Sequence, residues 1–507
     1  MTIRPTGVRR AGADLRALLG LPAGPPDLIT GVTLDSRQVQ AGDLYAALPG
    51  FTTHGARFGT QAASAGAAAI LTDPEGEAIL ADAGVDAPVL VVGDPRGVLG
   101  EVSAWVYGEP AEALATTGIT GTNGKTTTSF LLDAALCAGG HTTGLIGTVL
   151  ARIGDEELPA VRTTPEAPDV HALLAVMRER GVTALTMEVS SHALALGRVD
   201  GIVFDLAMFT NLSQDHLDFH GDLESYFAAK ASLFTPARSA AALVCVDDAW
   251  GRRLAQGAAD AGLPVTTYAV SGAQADWTAL EQRPGRDGST EFDVRGPDGL
   301  RLPAAVQLPG QFNVANALGA LAAAAHHGVP AEAAADAIAA CPGVPGRMEH
   351  VRAGQPFLAI VDYAHTPDAV ARAIAAVRET TGPDARVLTV LGCGGGRDRD
   401  KRPIMGEVAA RESDVLVITD DNPRFESALA IREALMAGVQ RVSRRTRAEV
   451  VVEGDRRRAI EIAAGMAGPG DAVLVLGKGH EQGQEAAGVI TPFDDRVELR
   501  LALEALA

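Results

Sequence analysis

Short apolar runs separated by glycine- or aspartate-bearing turns recur along most of this chain. Residues 44–48, 68–71 and 89–92 are compact blocks of Leu, Ala, Val and Ile, interleaved with Ala-rich stretches of helical character such as 61–67. Runs this short and this apolar predict buried strands, and their alternation with helices predicts an α/β unit. The alternation resumes with a strand over 114–120, a helix over 127–138 and buried strands over 184–189, 206–209 and 242–246. A third set occupies 358–361, 387–391, 415–419 and 472–476. The polar stretch 107–112, with Gly108 and Pro110, and the stretch 341–346, with two prolines and two glycines, interrupt the pattern. They divide the chain into expected domains at 1–109, 110–341 and 342–507. Residues 283–301, rich in Gly, Arg and Asp, read as a polar hairpin inserted before an Ala-rich helix over 313–327.

A length of 507 residues agrees with about three domains of ordinary size. Hydrophobic residues make up 47% and aromatics only 4%, so the cores must be built from Ala, Val, Leu and Ile. The net charge of -20 argues against nucleic-acid partners, which need Lys and Arg to neutralise phosphates. Cys137, Cys245, Cys341 and Cys393 are far apart and form neither a disulfide framework nor a zinc motif. The N-terminus lacks a continuous apolar segment, and no apolar run reaches the roughly 18 residues that span a bilayer. A cytoplasmic protein without membrane insertion is expected.

In open parallel sheets, ligands bind at the carboxyl ends of strands, so the chemistry is sought in the loops that follow them. Gly121-Thr122-Asn123-Gly124-Lys125-Thr126-Thr127 follows a buried strand and opens a helix. Its glycines free backbone N–H groups for phosphates, Lys125 can reach β- and γ-oxygens, and the Thr126 hydroxyl can ligate Mg²⁺. Ile119 stands where the strict Walker spacing has glycine, so the loop is a shortened variant. Glu188 closes another strand of the same set, where a carboxylate can serve Mg²⁺ near the phosphates. The loop 211–221 concentrates two Asp and two His after a third strand. Alone it is equally a polar loop or a metal site. In Asp421-Asn422-Pro423-Arg424, an arginine after a strand can pair with a carboxylate through two parallel bonds.

Residues 118–128, Glu188 to His192, 211–221, 308–316, Gly346 to Glu349 and 362–368, taken in order, resemble the motif set of the Mur ligases. The resemblance covers the central and C-terminal parts. It implies α/β domains holding a UDP-sugar, ATP and an amino acid in turn: a small N-terminal domain, a central P-loop doubly wound parallel sheet, and a Rossmann-like C-terminal domain. Lys125 and Thr126 would hold ATP phosphates and Mg²⁺, Glu188 and His216 would serve the metal, and Asn313 would lie near the adenine. Arg347 and Asp362 would reach the nucleotide from the third domain. Lys230, in Tyr226-Phe-Ala-Ala-Lys230, matches the lysine that the family carbamylates into a metal ligand; by itself it reads as a helix-surface lysine. Leu34 and Ser36, followed by Gly42-Asp43, match a uracil-binding signature, and Thr163, Thr164, Ser190 and Arg198 match positions holding the muramoyl sugar and its dipeptide. Leu196 departs from a polar residue found there in some relatives. Arg397, Asp421, Asn422, Pro423, Arg424, Gly477 and Glu481 match an amino-acid pocket.

The activity so implied is ATP-dependent addition of diaminopimelate to the D-glutamyl γ-carboxylate of a UDP-linked muramoyl dipeptide, by a monomer. A related ligase using L-lysine or another amino acid is the alternative, Arg424 being the residue that separates them. The Leu34 to Arg37 signature and the Arg424 loop argue against a folylpolyglutamate synthetase or the ligase of the terminal dipeptide. Lys125, Glu188, His216 and Lys230 together disfavour a non-catalytic scaffold.

Overall fold

The computed structural model describes residues 3–50, 52–160, 162–285, 289–382, 384–396 and 398–506. Among the described residues three main sheets follow one another along the chain, and the apolar cores of the second and third merge into one cluster. The first pairs β1 (Gly31–Thr33), β2 (Asp43–Ala46), β3 (Ala69–Thr72) and β4 (Val89–Val91) in sequential order, all parallel. The buried carboxylate of Asp43 in β2 takes two bonds from Arg4, at 2.8 and 2.7 Å. That pair fixes the start of the chain against this sheet.

The central sheet has eleven strands: β5 (Ala115–Thr120), β6 (Thr143–Ile146), β7 (Leu150–Ile153), β8 (Glu156–Pro159), β9 (Ala184–Glu188), β10 (Leu206–Phe209), β11 (Ala242–Cys245), β12 (Val265–Ala269), β13 (Trp277–Pro284), β14 (Thr290–Arg295) and β15 (Arg301–Val306). Their order across the sheet is β8-β7-β6-β9-β5-β10-β11-β12-β13-β14-β15. From β6 to β13 every pairing is parallel, as the alternation of strands and helices predicts. Both edges depart from the all-parallel expectation. The pair β7-β8 folds back antiparallel on one side, and β14 and β15 do so on the other.

The 283–301 segment is therefore more than an inserted polar hairpin. Its strands extend the sheet, and Trp277, Phe292, Val294, Leu302 and Val306 enter the core shared with α1 (Lys125–Ala138) and α2 (Gln311–His326). Period-two alternation places Phe292 and Val294 between Glu291, Asp293 and Arg295, which hides them in a composition count.

The third sheet runs β16-β17-β21-β18-β19-β20, from β16 (Glu349–His350), β17 (Leu358–Asp362), β18 (Val387–Leu391), β19 (Val415–Ile418), β20 (Glu449–Val452) and β21 (Ala472–Leu476). All its pairings but the first are parallel. Among the described residues no helix is long and apolar enough to cross a membrane.

Candidate active site

The turn after β5 is shaped by contact as much as by composition. Gly121 has φ 148°, and a Cβ there would lie 1.9 Å from Thr210 Oγ1 at the end of β10, so only glycine lets the loop lie this close to the neighbouring strand. The loop is then pinned from β10: Asn123 N donates to Asn211 Oδ1 at 3.0 Å and Thr210 Oγ1 donates to Asn123 O at 2.6 Å. Lys125 opens α1, and its Nζ donates to Gly121 O and Thr122 O, each at 3.0 Å. Burial lowers its pKa, against the attraction of Glu188 and Asp215.

Glu188 ends β9 beside the loop and is fully buried. Its carboxylate is held on both oxygens: Thr148 N donates to Oε1 at 2.8 Å, Thr148 Oγ1 to Oε2 at 2.9 Å and Thr126 Oγ1 to Oε2 at 3.0 Å. Arg347 Nη2 reaches across from the third domain to Thr126 Oγ1 at 3.1 Å, its guanidinium 4.4 Å from the Tyr363 ring centroid. Next to Arg347, Met348 takes φ 45°, and Met348 N donates to Asp362 Oδ2 at 2.7 Å. A second bridge between domains joins Asn123 Nδ2 to Asp368 Oδ2 at 3.2 Å. Thr163 Oγ1 is 3.0 Å from Thr148 Oγ1, Thr164 Oγ1 donates to Glu188 O at 2.8 Å, and Ser190 N donates to Thr164 Oγ1 at 3.1 Å. Arg198 donates to Thr164 O at 3.2 Å and pairs with Glu166 at 2.9 Å. Asn313 is buried on α2, its Nδ2 tied to Pro309 O at 2.8 Å.

His216 sits in the left-handed region, φ 54°, with Nε2 3.4 Å from Asp215 Oδ2 and its ring 4.7 Å from that of His192. Burial pushes its imidazole well down, leaving it neutral at physiological pH. Lys230 is 1% exposed, its Nζ donating to Gly121 O at 2.8 Å and lying 4.5 Å from the Tyr226 ring centroid. Burial first, then the charge of Lys125, hold its pKa well below the ordinary lysine range. It is thus no surface lysine; it stands behind the loop that Lys125 faces.

In the third domain, Asp421, Asn422 and Pro423 are buried on the loop after β19, and Gly477 and Glu481 follow β21. Gly477 has φ 118°, and a Cβ there would come within 2.5 Å of Asp421 Oδ2. Asn422 Nδ2 donates to Glu481 Oε2 at 2.6 Å. Arg424, φ 54°, donates from Nη1 to Gly395 O at 2.6 Å and faces Glu485 at 3.4 Å. Arg397 lies outside the described residues.

A single cavity of about 1110 Å³ joins these parts. Thr122 to Thr127, Thr163, Thr164, Glu188, Ser190, Arg198, His216, Asn313, Arg347, Asp362, Asp421, Asn422, Arg424, Gly477 and Glu481 all line it. Gly121, Lys230 and Pro423 stand behind its wall, and Leu34 and Ser36 are apart from it. Ser36 is buried in the first domain, donating to Gln61 Oε1 at 2.8 Å.

Sequence reasoning missed Thr148, Asp215 and Lys478, and Lys401, which also lines the cavity. Thr148 is one hydroxyl in a short turn and carries no pattern. Asp215 had a signal, its place beside His216, and Lys478 had one in Gly477-Lys478-Gly479.

A phosphate loop, a buried carboxylate at the next strand end and a third domain reaching onto both define a P-loop enzyme that works between domains. Comparison with known proteins narrows the class. The "Mur ligase family, catalytic domain" model matches residues 28–107, the "Mur ligase middle domain" 119–324 and the "Mur ligase, glutamate ligase domain" 346–479. The chain is 54% identical over 494 residues to the UDP-N-acetylmuramoyl-L-alanyl-D-glutamate--2,6-diaminopimelate ligase of Streptomyces avermitilis, covering 97% of this chain and 96% of that one. It is 44% identical over 507 residues to the UDP-N-acetylmuramyl-tripeptide synthetase of Leifsonia xyli subsp. xyli, covering 98% and 96%. A solved structure of a UDP-N-acetylmuramoyl-L-alanyl-D-glutamate--2,6-diaminopimelate ligase superposes with a TM-score of 0.67 at 32% identity, over 97% of this chain and 98% of that one. The chain belongs to the Mur ligase family of ATP-dependent ligases.

Proposed function

We propose that this chain joins diaminopimelate to the D-glutamyl γ-carboxylate of UDP-N-acetylmuramoyl-L-alanyl-D-glutamate at the expense of ATP, a step of peptidoglycan precursor synthesis. The observation that carries this reading is the shared cavity. Its lining includes the phosphate loop and, from the third domain, Glu481 and Arg424, charges of opposite sign suited to an ammonium and a carboxylate on one side chain. The relatives' names support the same substrates. We assign residues 1–109 to the UDP-sugar, with Leu34 and Ser36 at the uracil, 110–341 to ATP, and 342–507 to the amino acid. A cytoplasmic monomer is the form we propose.

Two displacements follow. A γ-carboxylate oxygen of the D-glutamyl group attacks the γ-phosphorus of ATP, and ADP leaves. The diaminopimelate amine then attacks the acyl carbon of the resulting acyl phosphate, the C–O bond breaks, phosphate departs with its electron pair, and the nitrogen sheds a proton. The loop amides at 122–125 and the Lys125 ammonium gather the phosphates, and Arg347 adds a positive charge from the third domain, so positioning and charge neutralisation carry the first step. Thr163, Thr164, Ser190 and Arg198 hold the acceptor where its carboxylate meets Glu188's end of the cavity. The bridges Arg347–Thr126 and Asn123–Asp368 close the third domain over the loop and keep water from the acyl phosphate.

The donor set fits Mg²⁺. Thr126 Oγ1 and the Glu188 carboxylate are hard oxygen donors beside the phosphate loop, with neutral His216 near. Among the described residues no group of three His, Cys, Asp or Glu side chains makes a ready metal cage. A cation there takes the rest of its shell from phosphate and water, the habit of Mg²⁺. When bound, it neutralises charge on the transferring phosphoryl group.

Lys230 is proposed to carry a carbamate. The neutral Nζ would attack the carbon of carbon dioxide and shed a proton to give the carbamate, and burial, which lowers its pKa well below the ordinary lysine range, favours that neutral form. Lys230→Ala is expected to lose most ligase activity and to regain part of it with added short carboxylic acids. Full activity of the alanine variant, measured by phosphate release, would leave the lysine with a packing role only.

The whole reading is tested by an amino-acid panel in ATP-dependent phosphate release with the UDP-muramoyl dipeptide supplied. Diaminopimelate alone should give rapid turnover. Turnover with another amino acid and none with diaminopimelate would overturn the substrate assignment.

A further inference from the structure

Lys478 follows β21, and its side chain is wholly buried. Its Nζ donates to Gly483 O at 2.6 Å, Asn422 Oδ1 at 2.9 Å and Glu481 Oε2 at 3.1 Å. Three acceptors demand three N–H donors, which only the ammonium form carries.

Each of those bonds fixes a different part of the amino-acid pocket. Asn422 Oδ1 accepts from Lys478 Nζ and from Glu485 N at 3.0 Å, so both of its lone pairs are used and the amide has a single orientation. That orientation points Nδ2 at Glu481 Oε2. The carboxylate of Glu481 is thereby gripped on one oxygen by two donors, while the same residue lines the cavity. The bond to Gly483 O anchors the hairpin of strands Gly483–Ala486 and Val489–Pro492 at its first residue. That hairpin in turn holds the Arg424 backbone: Arg424 N donates to Glu485 O at 2.9 Å and Ala487 N to Arg424 O at 2.6 Å. Arg424 has φ 54°, a costly conformation for a residue with a side chain, and the clamp helps to hold it.

We propose that Lys478 is a positioning residue for amino-acid selection. It sets the Glu481 carboxylate and the Arg424 guanidinium at a fixed separation, so that the pocket measures the distance between the ammonium and the carboxylate of the incoming side chain. This deepens the substrate reading above and rests on its assignment of Asn422, Arg424 and Glu481 to the amino acid. The buried ammonium touches no residue of the phosphate loop in this role. Its effect should therefore fall on one substrate of three.

The test is Lys478→Met, which keeps the length of the side chain and removes the charge. KM for diaminopimelate should rise about 10- to 100-fold, the worth of a charge-assisted hydrogen bond lost from a buried site, while KM for ATP and for the UDP-muramoyl dipeptide stays put. Lys478→Ala supplies a second reading: added propylammonium should lower the raised KM for diaminopimelate, and propanol of the same size should not. An equal shift in all three KM values, an unchanged KM for diaminopimelate, or equal rescue by propanol would overturn the proposal. So would loss of cooperative melting in both variants, which would assign Lys478 to stability alone. The wild-type amino-acid panel is run first. If wild type prefers another amino acid the substrate reading fails, and the KM split for that amino acid still decides the role of Lys478.

Discussion

Lys125→Ala should abolish ligation, lowering kcat by at least about 10³-fold, while the protein stays folded. The size follows from where the charge sits. Lys125 is the cation at the mouth of the loop, and the phosphoryl group in flight spreads negative charge that a preorganised ammonium stabilises and water cannot replace in time. The fold is spared because the loop does not depend on this side chain for its shape. Gly121 is set by its contact with Thr210, and Asn123 is held by Thr210 and Asn211. Gly121 O also keeps a second donor, Lys230 Nζ at 2.8 Å, when Lys125 is gone. Thermal melting should shift little, since the net worth of the hydrogen bonds lost is about 1 kcal/mol each and the side chain is part-exposed. Single-turnover phosphate release together with a melting curve checks both halves. Near-normal release would remove the phosphate loop from the mechanism.

The legible and illegible parts of this protein differ in what fixes them. Strand β5 and the glycine turn after it could be read from the sequence because local rules suffice: a short apolar run, glycines, then a helix with Lys125 at its start. The same holds for β9 with Glu188 at its end and for β19 ahead of Asp421. Edge strands β7 and β8 escaped notice because they are short, and β8, Glu-Glu-Leu-Pro, is largely exposed. The hairpin beginning at Gly483 lacks the apolar alternation of a buried strand, because it is held by backbone bonds to Arg424 and leaves Val489 and Ile490 62% and 70% exposed. Lys230 and Lys478 are the sharpest cases. A lysine on a short helix reads as solvated and Gly477-Lys478-Gly479 gives no sign of burial, and only tertiary packing buries the two side chains, where carbonyl oxygens and a carboxylate take the place of water. Leu34 and Ser36 show the opposite limit. Their signature is easy to quote, yet they lie apart from the main cavity, and their role rests on resemblance.

Arg424→Ala should change the choice of amino acid more than it changes the enzyme's capacity to make an amide bond. Lysine matches diaminopimelate in chain length and distal amine but lacks the second carboxylate. Admitted by the wild-type enzyme, it would leave the Arg424 guanidinium with Gly395 O and Glu485 as its partners among the described residues. Losing a charge-assisted pair costs about 2 to 5 kcal/mol in a desolvated site, or roughly 30-fold to several-thousand-fold in specificity. The Arg424 side chain is 27% exposed, so the lower part of that range applies. The Glu485 carboxylate across from it competes for the same guanidinium and lowers the figure further. In the alanine variant kcat/KM for diaminopimelate should therefore fall by about 10- to 30-fold, and kcat/KM for lysine should change far less. The ratio of the two narrows accordingly. Both constants are measured for both amino acids in both proteins. Equal use of lysine by the wild type, or a ratio that Arg424→Ala leaves untouched, would strike out diaminopimelate as the substrate while the ligase chemistry at Lys125 stood.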